Sequence, residues 1–449
     1  MSSKQYHSIY FLGIGGIGMS ALARFYRQDG VQVAGYDRTR TQLTIELEQE
    51  GINIHYQEDI QRIPINPDLV VYTPAIPANS IELDYVKQQA YPLIKRAELL
   101  GQLSSGKFTI AVAGTHGKTS ITAMIAHLLH TAGIPITAFI GGIALNFNNN
   151  LVNEPESRVM IVEADEYDQS FLQLKPDIAV VSSMDADHLD IYNHHERLIA
   201  SFNAFASGIK NGGVLVHKLG LPLDIKALSL TYSIDGHSDL RAVEVGVKEG
   251  KFAFTINGKA IDDLTVRWGV PGRHNIENAL AAVAVARVLG IDSMLIERAL
   301  ASFAGVRRRF EYRINTPGMV FIDDYAHHPE ELKACISAVR ECYPGRWLTG
   351  IFQPHLFSRT RDFMDDFARS LELLDELILL DIYPARELPI DGVTSAVLLS
   401  KVKLDKKQLC AKHELLSLVR NISPKLLLTL GAGDIDQLVE PLQNTLSKA

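Results

Sequence analysis

At 449 residues the chain is too long for one ordinary domain, and 47% hydrophobic with 21% charged residues is the make-up of a soluble globular enzyme. A formal net charge of −8 argues against a nucleic-acid-binding surface, so an anionic ligand must be held by local backbone N–H groups and single Lys or Arg side chains. Three scattered cysteines (Cys335, Cys342, Cys410), no basic leader before an apolar run and no window of about eighteen apolar residues point to reduced thiols, a cytoplasmic home and no membrane insertion.

In residues 8–103, SIYFLGI, VQVAGYD and DLVVYTPAI read as buried parallel strands alternating with helical patterns, an α/β unit with its ligand at the strand carboxyl ends. The first strand runs into GIGGIG, where Gly13, Gly15 and Gly18 fit a GxGxxG loop and Asp37 follows the second strand. That pattern lets a diphosphate approach the backbone; tight strand–helix packing is the plain alternative, and a nicotinamide dinucleotide is a third reading. The SSGK at 104–107 suggests a hinge into a new domain.

The pattern restarts with FTIAVAG, VMIVEAD and DIAVVSSM. Here GTHGKT at 114–119 lies between an apolar run and the helical TSITAMIAHLLHTAG, the strand–loop–helix setting of a P-loop. Loop amides and the helix N-terminus would hold phosphate, Lys118 would reach the terminal phosphates and the Thr119 hydroxyl a Mg²⁺. The general pattern asks for glycine where Val112 stands. Glu163, at a predicted strand end, and His188, just past another, are candidate metal ligands, directly or through water. A more β-like stretch, 213–270, precedes a predicted alanine-rich helix at 275–290 with Asn275 near its start.

Arg307, Arg308 and Arg309 form either a solvated charge run or a group reaching a transferring phosphoryl. Residues 311–449 make a third α/β set from MVFIDDYA, RWLTGIFQP, ELILLDIYP and KLLLTLGAG. In IDDYAHHPEE, adjacent histidines on a strand would face opposite ways, so at most one is central, and Pro329 suits a first helical turn. His355, Arg359 and Arg361 in QPHLFSRTRDF suit a carboxylate-bearing ligand as well as a plain surface.

These segments, in order over the whole chain, resemble the Mur ligase family: GIGGIGMSALA, AGTHGKT, EADEYDQSF, DADHLD, GRHNIENALAA, GVRRRFE, DDYAHHP, QPH…RTRDF and LGAGDID. GIGGIGMS, DDYAHHP and QPH…RTRD are similar to its alanine-adding branch. The resemblance implies an α/β protein of three domains: a Rossmann-like domain (1–104) for a UDP-bearing substrate, a central P-loop ATPase-type domain (105–310) and a C-terminal Rossmann-like domain (311–449) for the amino acid. It implies ligation of L-alanine to UDP-N-acetylmuramate for peptidoglycan, through an acyl phosphate, with ATP as cosubstrate, Mg²⁺ as cofactor and ADP and phosphate as products. A monomer or weak homodimer is expected.

Under the same resemblance Lys118, His188 and Arg308 are catalytic. Gly114, Thr115, His116, Gly117, Lys118, Thr119 and Ser120 hold ATP with Asn275 at the adenine, Arg308 at a phosphate and Asp324 from the third domain. Thr119, Glu163 and His188 hold metal. Gly13, Gly15, Gly16, Gly18, Asp37 and Thr73 bind the UDP substrate, and Tyr325, His327, His355 and Arg359 the amino acid. The chain departs from the family at Leu356, where a basic residue is common, and at Gln57-Glu58, which replace a Gly-His pair. Residues 189–209 contain no lysine, unlike sister ligases that carry a modified one there. A ligase attaching a whole peptide, an NAD(P)-dependent oxidoreductase and a regulator without catalysis stay as rival readings.

Overall fold

The computed structural model describes residues 6–185, 192, 194–234, 236–248, 251–259, 261–385 and 387–447. The described residues form three sheets. The first is fully parallel, in the spatial order Asn53–His55, Gln32–Tyr36, Ser8–Leu12, Leu69–Tyr72, Leu93–Lys95. Strand order reverses on either side of Ser8–Leu12, so the glycine loop that leaves this strand sits at the switch point, the place where sheets of this kind take their ligands.

The second sheet has ten strands, in the order Ile261–Trp268, Lys251–Gly258, Leu240–Lys248, Leu228–Ser233, Val214–Lys218, Ile178–Val181, Phe108–Ala113, Val159–Glu163, Ile136–Ala144, Asn149–Asn153. Phe108–Ala113 is parallel to both neighbours, Ile178–Val181 and Val159–Glu163. Its apolar side chains are buried from Ile110 to Ala113, as a strand covered on both faces requires. The chain that follows therefore emerges between Ser182 on one side and Glu163 on the other.

The third sheet runs Glu311–Asn315, Val320–Asp324, Leu426–Leu430, Thr349–Phe352, Glu376–Leu379, Lys406–Leu409, antiparallel only at its first pair. Its strands are walled by apolar clusters, one around Ile322, Leu332 and Phe367, the other around Phe321, Ile351 and Leu442.

The chain divides into two compact units, one of Met1–Ala242, Ile256–Leu264 and Glu277–Phe303, the other of Val243–Thr255, Thr265–Ile276 and Ala304–Ala449. In the first unit a single apolar cluster runs from Ile9 and Phe11 to Val162 and Leu215, and the Phe25 and Phe139 rings lie 5.6 Å apart. Arg24, 2% exposed, ties the same faces. It donates to Glu50 Oε1 at 2.8 Å, Glu46 Oε2 at 3.2 Å and Asn150 Oδ1 at 2.5 Å, so its buried charge is fully met. Ser104, in the segment read as a hinge, is buried, and its carbonyl accepts from the Thr109 hydroxyl at 3.0 Å.

The alanine-rich helix spans Arg273–Val288, two residues earlier at each end than its periodicity suggested. Gly272 turns at φ 106° and its carbonyl accepts from Asn275 N, which starts the helix early. Among the described residues no helix is long and apolar enough to cross a membrane.

Candidate active site

The first glycine loop is held open by its neighbours. Gly13 turns at φ 83°, and a Cβ there would lie 3.2 Å from the Thr73 methyl, so Thr73 closes one wall. Asp37 Oδ2 accepts from Gly15 N at 2.8 Å and its Oδ1 from Thr39 N at 3.0 Å. One carboxylate oxygen thus braces the glycine loop and the other the turn that follows the second strand. The Arg96 guanidinium lies against Gly18, where a Cβ would come within 2.5 Å of Nη1, and its Nη2 meets Asp165 Oδ2 at 3.2 Å. Lys95 pairs with Asp168 at 2.8 Å.

At GTHGKT the chain turns sharply from strand to helix. Gly114 (φ 138°) leaves no room for a side chain: a Cβ would strike Ser182 Oγ and the backbone of Ser182 and Ser183. Gly117 (φ 84°) starts the helix Lys118–Thr131, and a Cβ there would come within 2.5 Å of Asn278 Oδ1. Ser183 fastens the loop from the neighbouring strand: its Oγ accepts from His116 N at 2.8 Å and is 2.9 Å from the Thr115 hydroxyl. Thr119 and Ser120 are buried in the first helical turn.

Glu163 ends its strand facing this turn. It takes a hydrogen bond from Gly141 N at 2.9 Å and interacts with the Thr119 hydroxyl and Lys118. Burial raises its pKa, and those partners only partly offset the rise. Gly141 has no side chain because the Glu163 carboxylate fills that space. Lys118 Nζ donates to Gly114 O at 2.7 Å and to both oxygens of Glu166 at 2.8 Å. Burial presses the ammonium toward neutrality, but Glu166 and Asp165 outweigh it and the pKa stands above its ordinary value.

In the second unit the strand ends gather another set. Arg308, itself at φ 59°, donates from Nε to Asp323 Oδ2 at 3.0 Å and from Nη2 to Gly431 O at 2.6 Å, and stacks over the Tyr325 ring at 5.3 Å. Asp324 accepts from Phe310 N and Ala326 N, both at 2.7 Å; burial pushes its pKa up to about 6. The rings of Tyr325 and His327 lie 5.2 Å apart, and those of His327 and His355 5.9 Å. His355 stacks on Tyr383. Gln353 anchors the LGAGDID turn through Asp434 Oδ1 and Ile435 N. Arg359 is buried at the helix Phe357–Asp362, which begins after Leu356 at φ 72°.

The structure thus gathers three groups: Gly13, Gly15, Gly16, Gly18, Asp37 and Thr73; Gly114–Ser120 with Glu163; and Arg308, Asp324, Tyr325, His327 and His355. Asn275 is buried, its Nδ2 donating to Pro271 O at 2.6 Å. His188 lies outside the described residues. His327 and His328 do not lie on a strand as expected: the strand ends at Asp324, so pleating does not govern them. His328 instead caps the helix Pro329–Cys342, accepting from Glu330 N, while His327 turns to Tyr325 and His355. Sequence reasoning passed over Glu166, Ser183, Asn278 and Arg96. The acid run Glu163-Ala-Asp165-Glu166 at a strand end was the visible signal for Glu166, and the three-residue step from Asn275 the one for Asn278.

A Mg²⁺ wants hard oxygen donors and often keeps several waters. The adjacent Thr119 hydroxyl and buried Glu163 carboxylate fit that donor chemistry. No group of three or more His, Cys, Asp or Glu able to hold a metal occurs among the described residues.

Three family models match nearly end to end: Mur ligase family, catalytic domain (residues 8–108); Mur ligase middle domain (112–286); and Mur ligase, glutamate ligase domain (308–434). The chain is 45% identical over 452 residues to a UDP-N-acetylmuramate–L-alanine ligase of Flavobacterium johnsoniae, covering 100% of both chains. It is 46% identical over 449 residues to one of Porphyromonas gingivalis, covering 98% of each. A solved UDP-N-acetylmuramate–alanine ligase of Thermotoga maritima superposes with a TM-score of 0.86 at 27% identity, over 98% of this chain and 99% of that one. A murein peptide ligase of Psychrobacter arcticus shares the fold, with a TM-score of 0.76 at 24% identity over 98% and 99%. With matching models covering its first, central and last thirds and relatives alike from end to end, the chain belongs to the Mur ligase family.

Proposed function

We infer that this chain is an ATP-dependent ligase that joins L-alanine to UDP-N-acetylmuramate in peptidoglycan precursor synthesis. The observation that carries this is the full-length match, at 45% identity, to a ligase of that name, in a chain whose GTHGKT turn presents Lys118, Thr119 and Glu163 together. We assign residues 1–104 to the UDP substrate, 105–310 to ATP and 311–449 to the amino acid, working in the cytoplasm as a monomer or weak homodimer.

A carboxylate is a poor acyl donor because its oxygen is a poor leaving group. The muramate carboxylate oxygen attacks the γ-phosphorus of ATP, the bond to ADP breaks, and an acyl phosphate forms. The alanine amine then attacks the acyl carbon, and the tetrahedral intermediate expels phosphate to leave the amide. The first step asks the protein for position and charge neutralisation rather than covalent help. In our assignment the loop amides from Gly114 to Ser120 and the Lys118 ammonium hold the β- and γ-phosphates. Thr119 and Glu163, with His188, would hold Mg²⁺, which when bound would supply neutralising positive charge. Asn275 meets adenine, Arg308 a phosphate and Asp324 the nucleotide. Gly13, Gly15, Gly16, Gly18, Asp37 and Thr73 hold the UDP handle, and Tyr325, His327, His355 and Arg359 the amino acid.

The test is phosphate release with UDP-N-acetylmuramate, ATP, Mg²⁺ and a panel of amino acids and peptides. Release stimulated by L-alanine is the expected result. Stimulation by a tripeptide and not by L-alanine would transfer the chain to the peptide-adding reading. His188→Ala should raise the Mg²⁺ concentration needed for half-maximal rate; an unaltered Mg²⁺ titration removes that histidine from the metal.

A further inference from the structure

We propose that Glu166 is a positioning residue that competes with nucleotide phosphate for the ammonium of Lys118. This rests on the reading of Lys118 as a nucleotide ligand. An ammonium has three protons. One goes to Gly114 O, and the two others face the oxygens of Glu166, each at 2.8 Å. Any phosphate oxygen that bonds Nζ must therefore replace a contact with Glu166 or with Gly114.

Glu166 is built to hold its ground. The residue is 0% exposed, and its carbonyl oxygen takes the hydroxyl of Tyr192 at 2.6 Å, which pins its backbone. A carboxylate in such a place is costly without a cation, so Lys118 and Glu166 stabilise each other strongly. Asp165, next in sequence, points its Oδ2 to Arg96. Glu163 interacts with Thr119. These three acids thus have different tasks, and Glu166 is the one hydrogen-bonded to the lysine.

Two consequences follow for catalysis. Glu166 keeps the long lysine side chain folded over the loop, so phosphate meets a placed charge and not a mobile one. It also subtracts from ground-state affinity, because each phosphate contact is made in exchange, and it recaptures the ammonium as ADP leaves. Removing the carboxylate should tighten nucleotide binding while slowing turnover, a pairing that a merely structural side chain would not give.

The experiment measures the affinity of ADP and of a non-hydrolysable ATP analogue by calorimetry, with and without Mg²⁺, and the steady-state rate, for wild type and Glu166→Gln. The expected result is about tenfold tighter nucleotide binding with kcat and the KM for ATP both reduced, and the KM for the UDP substrate unchanged. Nucleotide affinity equal to or weaker than that of wild type, in a variant with native circular dichroism, overturns the proposal. If Glu166→Gln does not fold, Glu166→Asp keeps the charge on a shorter arm; it too should bind ADP more tightly, and unaltered binding overturns the proposal equally. Failure of wild type itself to bind ADP would instead defeat the assignment of the loop to ATP.

Discussion

Lys118 and Asp324 show two ways of keeping a buried charge. Lys118 carries its counter-ion with it, and loss of the ammonium should be felt at one place: Lys118→Ala is expected to abolish phosphate release while the dissociation constant of the UDP substrate stays within about twofold, read by calorimetry. Loss of both together would refute the assignment of the two phosphates to separate loops. Against its burial Asp324 has the nearby Arg309 charge and two backbone N–H groups, which do not suffice, and its pKa rises to about 6 from an unfolded value of about 4. The folded chain therefore binds this proton more tightly than the unfolded one. The resulting stability is complete below about pH 4 and is lost as pH rises through 6. Wild type should gain about 2 kcal/mol over Asp324→Asn between pH 7 and pH 4, measured by denaturant unfolding of both proteins.

At the scale of elements, each gathered group lies just beyond the carboxyl ends of parallel strands. Gly114 is where the element would break first. At φ 138°, with Ser182 and Ser183 against it, the Gly114→Ala protein should lose more than about 2 kcal/mol of stability and its nucleotide binding, checked by thermal unfolding and ADP titration. The strands and this turn were legible because apolar runs end abruptly in Gly, Asp or Glu, and because GTHGKT carries its own geometry. The central sheet's strand order was not legible. That Phe108–Ala113 stands between Val159–Glu163 and Ile178–Val181, and so between Glu166 and Ser183, follows from long-range pairing that leaves no local mark. For the same reason Asp37 read as a ligand contact, with no sign of its hydrogen bond to Gly15 N, and the histidine pair read as part of a strand that in fact ends at Asp324.

Over the whole molecule, the α/β class and the succession of three α/β regions could be read from strand-and-helix rhythm, and the family from motifs in fixed order. The fastening of the first sheet to the second could not, since its residues are ordinary charged side chains far apart in sequence. Arg24 lies on a helix of the first region and Asn150 on a strand of the second; Arg96 and Lys95 reach Asp165 and Asp168. Arg24→Ala leaves the buried Asn150 amide without its donor and the half-buried Glu46 and Glu50 without their cation, and a loss of about 1–2 kcal/mol is expected in denaturant unfolding. A loss below about 1 kcal/mol would mean that the apolar cluster alone joins the two sheets.

The hollow at Gly141 bears on heredity as well as on chemistry. Because the Glu163 carboxylate sits where any other residue at 141 would begin its side chain, a substitution there forces that carboxylate away from Gly141 N and Thr119, and is tolerated only if the chain does without it in this position. In a bacterium made to depend on this gene, a library randomised at codon 141 and grown for many generations should return glycine almost alone, while codon 133, where a side chain would meet open space but the backbone turns at φ 74°, should also admit asparagine.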